Sequence, residues 1–235
     1  MLKQNLINNN PLGVFKTDTK GNEILQRMGL VVSRPGVGKT AILVQIALYN
    51  MLQGKQVVHV SIGQSIDKTK AWYDDIIKDV TSGAGAEEVE SVKYEIIRNR
   101  MIITFNNSNF SRPKLEERLN DLIKQDIFRP SCLVIDGLDI AVADRQLLDD
   151  LHALQKEMGI NIWLSAVSHR DEAGNDDNLP AVFKDKADIF DTLLMLQPAD
   201  SGEGKIFLKT VKDDTGCVEP GKAMCLDPTT MLVWG

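Results

Sequence analysis

The 235-residue chain reads as an α/β protein: a mostly parallel central sheet flanked by helices, with antiparallel strands added at the C-terminal end. Three observations predict this. Short apolar, β-branched runs alternate with longer amphipathic stretches, as in sheets covered by helices. Runs such as CLVI and LVV carry no polar alternation, as befits strands buried on both faces. After Gln197 the pattern becomes strand, turn and strand, which suits hairpin connections.

The elements follow in order. A first strand at 29–32 leads into a helix over 40–52 that stops at Gly54, a residue type that ends helices. A second strand at 57–61 precedes helices over 66–80 and about 86–98, and a third strand at 101–105 precedes a helix over about 113–125. The fourth strand, 132–135, is followed by a helix over 145–158 closed by Gly159, then by strands at 160–167 and 192–196. In the tail, 205–211 alternates like a strand, Asp214-Thr215-Gly216 suits a hairpin loop, and 223–234 reads as a further strand. Residues 1–26 are polar and Asn-rich and read as an N-terminal arm or leader to a domain spanning 27–235.

Composition narrows the class. With 43% hydrophobic and 26% charged residues the chain is an ordinary globular protein. No apolar run approaches the ~20 residues of a membrane span, and the N-terminus lacks the apolar core of a secretory signal. Three cysteines form no paired metal spacing; Cys132 reads as a small core residue, and a reducing cytoplasm is the expected compartment. The net charge of -6 argues against a dedicated nucleic-acid binder, although a local basic patch is compatible with it. Trp72 and Trp163 read as core rather than as stacking platforms for bases.

The chemistry concentrates at Ser33-Arg34-Pro35-Gly36-Val37-Gly38-Lys39-Thr40, between the apolar strand GLVV and the helical run that begins at Ala41. Small residues let the backbone wrap round a phosphate with its N–H groups pointing inward, and the following helix adds its positive end. In the pattern GxxxxGK(S/T), Ser33 replaces the first glycine, a position that needs only a small side chain. Lys39 is expected to neutralise β- and γ-oxygens, and Thr40 to place its hydroxyl on Mg²⁺. Asp136 ends the apolar strand CLVI, where a carboxylate orients a metal-bound water beside the phosphates. Asp139 reads as a cap, while Ser168 and His169 end the next strand on the same sheet edge.

These segments resemble the RecA-like P-loop ATPases, within them the DnaB helicase and KaiC group. The resemblance rests on SRPGVGKT, VVHVSIGQS, CLVIDGLD, LLDDLHALQKEMGINIWLSAVSH and ADIFDTLLMLQP, over about 28–196. It implies ATP (or another NTP) with Mg²⁺ at the C-terminal strand ends, a ring or filament of like subunits, and His169 in the place of a water-sensing glutamine.

The departures shape the expected activity. The glutamate that polarises water in the family is matched by Gly63 and Gln64, and Gly137 follows Asp136 where another family group keeps one. Losing a general base costs about 10²–10⁴ in rate; Gln64 can still orient a water. The family's basic finger is matched only by Lys209 and Lys212, since no Arg follows Arg170. A slow ATPase using Lys39, Thr40 and Asp136, with Gln64 and His169 in supporting roles, is the first reading. A non-hydrolysing, nucleotide-dependent regulatory module is the second. A DNA-processing motor is the third, not favoured, because 137–144 has no Lys or Arg and 170–178 sets one Arg against Asp171, Glu172, Asp176 and Asp177.

Overall fold

The computed structural model describes residues 1–15, 26–168, 179–199 and 204–234. Eight strands form one sheet in the order β3-β2-β4-β5-β1-β6-β7-β8. β1 (Met28–Ser33), β2 (Val57–Ile62), β3 (Arg100–Phe105), β4 (Cys132–Asp136), β5 (Asn161–Val167) and β6 (Thr192–Pro198) are parallel. β7 (Ile206–Asp213) and β8 (Ala223–Leu226) close the edge in antiparallel sense.

Side chains of β1 alternate between two cores. Val31 packs with α2 (Lys39–Leu52), α3 (Ile66–Val80) and α4 (Ala86–Asn99) on one face. Leu30 and Val32 pack on the other with α5 (Arg112–Lys124) and α6 (Arg145–Met158). Helix α2 is apolar nearly all round because it lies on the sheet and is covered in turn; every residue from Ala41 to Leu52 is buried. Ser65 caps α3 by accepting from Lys68 N at 3.2 Å, and Gly159, at φ 66, ends α6.

Three features differ from the sequence-based expectation. Trp72 is 37% exposed, because the buried stripe of α3 runs through Thr69, Tyr73, Ile76 and Ile77, one position out of phase with it. The last strand stops at Leu226: Asp227 accepts from Thr229 N and Thr230 N at 2.8 Å each, turning the chain, and only a single bridge pairs Leu226 with Val233. At the N-terminus, α1 (Leu2–Asn8) docks on the domain, with Leu6 and Leu12 buried in the core beside α2.

A buried ion pair fastens the tail. Arg27 Nη1 lies 3.2 Å from Asp213 Oδ1, with both side chains almost wholly inaccessible. Asp213 also accepts from Thr192 Oγ1 and Thr215 Oγ1 at 2.8 Å and from Cys217 N at 2.9 Å, so β1, β6 and the hairpin after β7 meet on one carboxylate. Satisfied this fully, a buried charge can be held; stripped of one partner it becomes costly.

Candidate functional site

β1 ends in the middle of the sheet, with Ser33 opposite Val167 of β5 and Leu196 of β6. The chain turns through 34–38 into α2, with Gly36 at φ 78 and Gly38 at φ 112, conformations that side chains resist. Gly38 caps α2 without any side-chain bond, so the first amides of the helix have no acceptor among the described residues and its positive end stays available. Arg34, Pro35 and Gly36 are exposed, Val37 is half-buried against the core, and Ala41 is buried beneath the turn.

Lys39 folds back over this turn. Its Nζ lies 3.2 Å from Arg34 O, 3.5 Å from Ser33 O and 3.4 Å from Ser33 Oγ, so the ammonium spans the loop mouth. Burial lowers its pKa, and the nearby Asp136 carboxylate opposes that shift. The serine in place of a first glycine has a role of its own: Ser33, 2% exposed, donates to Arg34 O at 2.9 Å and offers the lysine an extra acceptor.

Asp136, at the end of β4, is 6% exposed and receives two hydroxyls. Thr40 Oγ1 donates to Oδ2 and Ser165 Oγ to Oδ1, each at 2.8 Å. With its hydrogen committed to the carboxylate, the Thr40 oxygen keeps lone pairs for a cation. The donor set is all oxygen, which fits Mg²⁺, an ion that retains waters and takes phosphate oxygens rather than a protein cage. Among the described residues no cluster of three or more His, Cys, Asp or Glu offers such a cage. Ser165 escaped the sequence reading; its signal was a polar residue inside the buried strand NIWLSAV.

The positions expected to lack a general base lie beside this pair. Ser61 of β2 is opposite Asp136, so Gly63 and Gln64 leave the sheet next to Asp136 and Gly137. Gln64 is half-buried. Gly63 has φ 72, and a Cβ there would sit 2.6 Å from Asn107 Oδ1. Gly137 has φ 92, and any Cβ would overlap the carbonyl oxygen of Ile62. Neither glycine can carry a carboxylate without the backbone moving. His169 and 170–178 lie outside the described residues, whereas Ser168 N donates to Ser33 O at 2.9 Å.

Other charged candidates are engaged elsewhere. Asp139 caps its own turn by accepting from Ala141 N at 3.1 Å. Lys186 donates to Ile140 O at 2.9 Å and Ala141 O at 2.8 Å, tying down the loop after β4. Lys212 donates to Phe190 O at 2.7 Å and pairs with Asp214 at 2.6 Å. Beneath the site, His59 Nδ1 is 3.0 Å from Tyr73 Oη, and the Arg100 guanidinium lies 4.6 Å from the Tyr73 ring centre. Burial pushes the His59 pKa down to about 4, with Asp136 opposing and Arg100 reinforcing the shift, so its imidazole is neutral at pH 7.

The structure is similar to that of the ATPase domain of a DnaB-like helicase, with a TM-score of 0.66 over 88% of this chain and 84% of that chain. The fold is RecA-like. Sequence identity is 15%, so the likeness establishes the architecture and assigns no role to any residue. No protein-family model and no curated protein matches the sequence.

Proposed function

We propose that this RecA-like protein binds a nucleoside triphosphate with Mg²⁺ at the turn 33–41 and hydrolyses it slowly. The observation that carries the reading is the 2.8 Å contact of Thr40 with Asp136, directly behind a glycine-formed helix start that no side chain caps. Phosphate oxygens would take the place of the Ser33 and Arg34 oxygens around Lys39 Nζ and receive the amides of Gly36 to Ala41. Mg²⁺ would rest on Thr40 Oγ1 and, through water, on Asp136; it supplies charge neutralisation at the phosphates.

Slow turnover follows from the chemistry beside the carboxylate. A general base contributes about 10²–10⁴ to the rate. Gly63 and Gly137 leave no room for one, and Gln64 can orient a water without accepting its proton. The same glycines favour the second reading, a regulatory module in which bound nucleotide is the signal. Assembly into a homo-oligomer and a cytoplasmic setting belong to the proposal, while the lack of Lys and Arg in 137–144 weighs against nucleic acid as partner.

Phosphate release from pure protein, compared with Gln64→Glu and Lys39→Ala, tests the choice. Slow hydrolysis abolished by Lys39→Ala and raised about 10²-fold by Gln64→Glu is expected. Tight nucleotide binding with no release from wild type or Gln64→Glu would leave the regulatory reading in its place.

A further inference from the structure

The C-terminal turn reaches back to the phosphate-binding loop. A side chain on Gly38 would overlap the methyl group of Met231, which is 4% exposed and shares this corner with Leu196. Met231 itself has φ 55, a left-handed conformation that Asn, Asp and Gly tolerate and methionine does not favour. Such a conformation persists only where its surroundings fix it. Here they do: Met231 N donates to Asp227 O at 2.7 Å, Asp227 N donates to Leu232 O at 2.9 Å, and the Asp227 carboxylate holds the amides of Thr229 and Thr230.

The turn is anchored on the helix behind the loop. Gln45 Nε2 donates to Thr230 O, and Gln45 Oε1 accepts from Asn10 Nδ2 at 3.0 Å. Asn10 Nδ2 also donates to Gln45 O at 2.8 Å, and Val233 N donates to Asn9 O at 2.8 Å. Both ends of the chain therefore converge on α2 just after Thr40, and Met231 projects from that junction onto Gly38, a loop residue with no side chain of its own to restrain it.

We propose that the turn 227–233 clamps the phosphate-binding loop and that Met231 is its positioning residue, with Asn10 and Gln45 tying the clamp to the N-terminal segment. The inference rests on the nucleotide-site reading for its consequence. A loop held in its anion-receiving shape before ligand arrives binds more tightly, because less ordering remains to be done on binding.

Two readouts on the full chain test it. One is hydrogen exchange of the amides of 36–40 in the ligand-free protein; the other is ATP–Mg²⁺ affinity measured well below the unfolding midpoint. Met231→Gly removes the side chain and also relieves the φ 55 strain, so its fold is not at risk. It should speed exchange about tenfold and weaken ATP binding by about the same factor. Met231→Leu should stay within about threefold of wild type on both. Asn10→Ala should move both in the same direction as Met231→Gly, but less. Unchanged exchange in Met231→Gly overturns the clamp, as does a Leu variant no better than the Gly variant. If wild type binds no ATP, the nucleotide reading fails, and the exchange arm still decides the clamp.

Discussion

Replacing Thr40 by Val keeps the shape of the side chain and removes only its hydroxyl. In the structure that hydroxyl is one of two donors to Asp136, at 2.8 Å, and the other, Ser165, remains. A hydrogen bond to a buried charge is worth about 1.5–3 kcal/mol, which in a domain of this size lowers the midpoint by about 3–12 °C. The larger effect should fall on the metal. Losing the proposed ligand and loosening the carboxylate behind it should cost about 10–100-fold in affinity for the Mg²⁺ complex. Binding of metal-free nucleotide, which depends on the amides and Lys39, should change little. Titration of a fluorescent ATP analogue with Mg²⁺ and with EDTA separates the two, and Thr40→Ser should behave as wild type. An equal Mg²⁺ enhancement in wild type and Thr40→Val would refute the metal geometry argued from Thr40 and Asp136.

Other perturbations have equally definite outcomes. Gly137→Ala puts a Cβ at φ 92 onto the Ile62 carbonyl and should destabilise the fold by about 2–4 kcal/mol, read as a lower denaturant midpoint. A fully stable Gly137→Ala protein would show that the crowding after β4 is easily relieved. The pKa of His59 is about 4 in the fold against 6.5 as its ordinary value, so the unfolded chain takes up the proton first as pH falls. Its contribution is therefore complete above about pH 6.5 and lost towards pH 4, about 3 kcal/mol in all. The midpoint should fall on acidification in wild type and fall less in His59→Gln; identical pH profiles would remove His59 as the cause. Asp213→Asn leaves Arg27 buried without its counter-charge and should cost about 3–5 kcal/mol, measured by chemical denaturation.

Much of the fold was legible because its signals are local. The strand 29–32, the turn with its GKT ending and the apolar α2 occupy one continuous stretch, and each is set by residue type and spacing alone. Asp136 was legible for the same reason, as a carboxylate ending an apolar run. What escaped reading depends on distant partners. Arg27 and Asp213 are separated by 186 positions, and nothing near either one marks it as half of a buried pair. Ser165 gains meaning only when β5 is placed beside β4. The end of β8 was overread because LVW is strand-like in type, while the Asp227 turn before it sends the chain towards Gly38. Trp72 was misplaced by a single helical position, which is enough to move a side chain from the core face to solvent.

The central claim is that the turn 33–41 holds a triphosphate. Isothermal titration of the purified, nucleotide-stripped chain with ATP and Mg²⁺ measures it directly, with Lys39→Ala as the paired control. Saturable binding at one site per chain, tighter than about 10 µM and weakened by at least about tenfold in Lys39→Ala, is the expected result. No binding by a folded wild-type chain up to about 1 mM, or equal binding by both proteins, would contradict it.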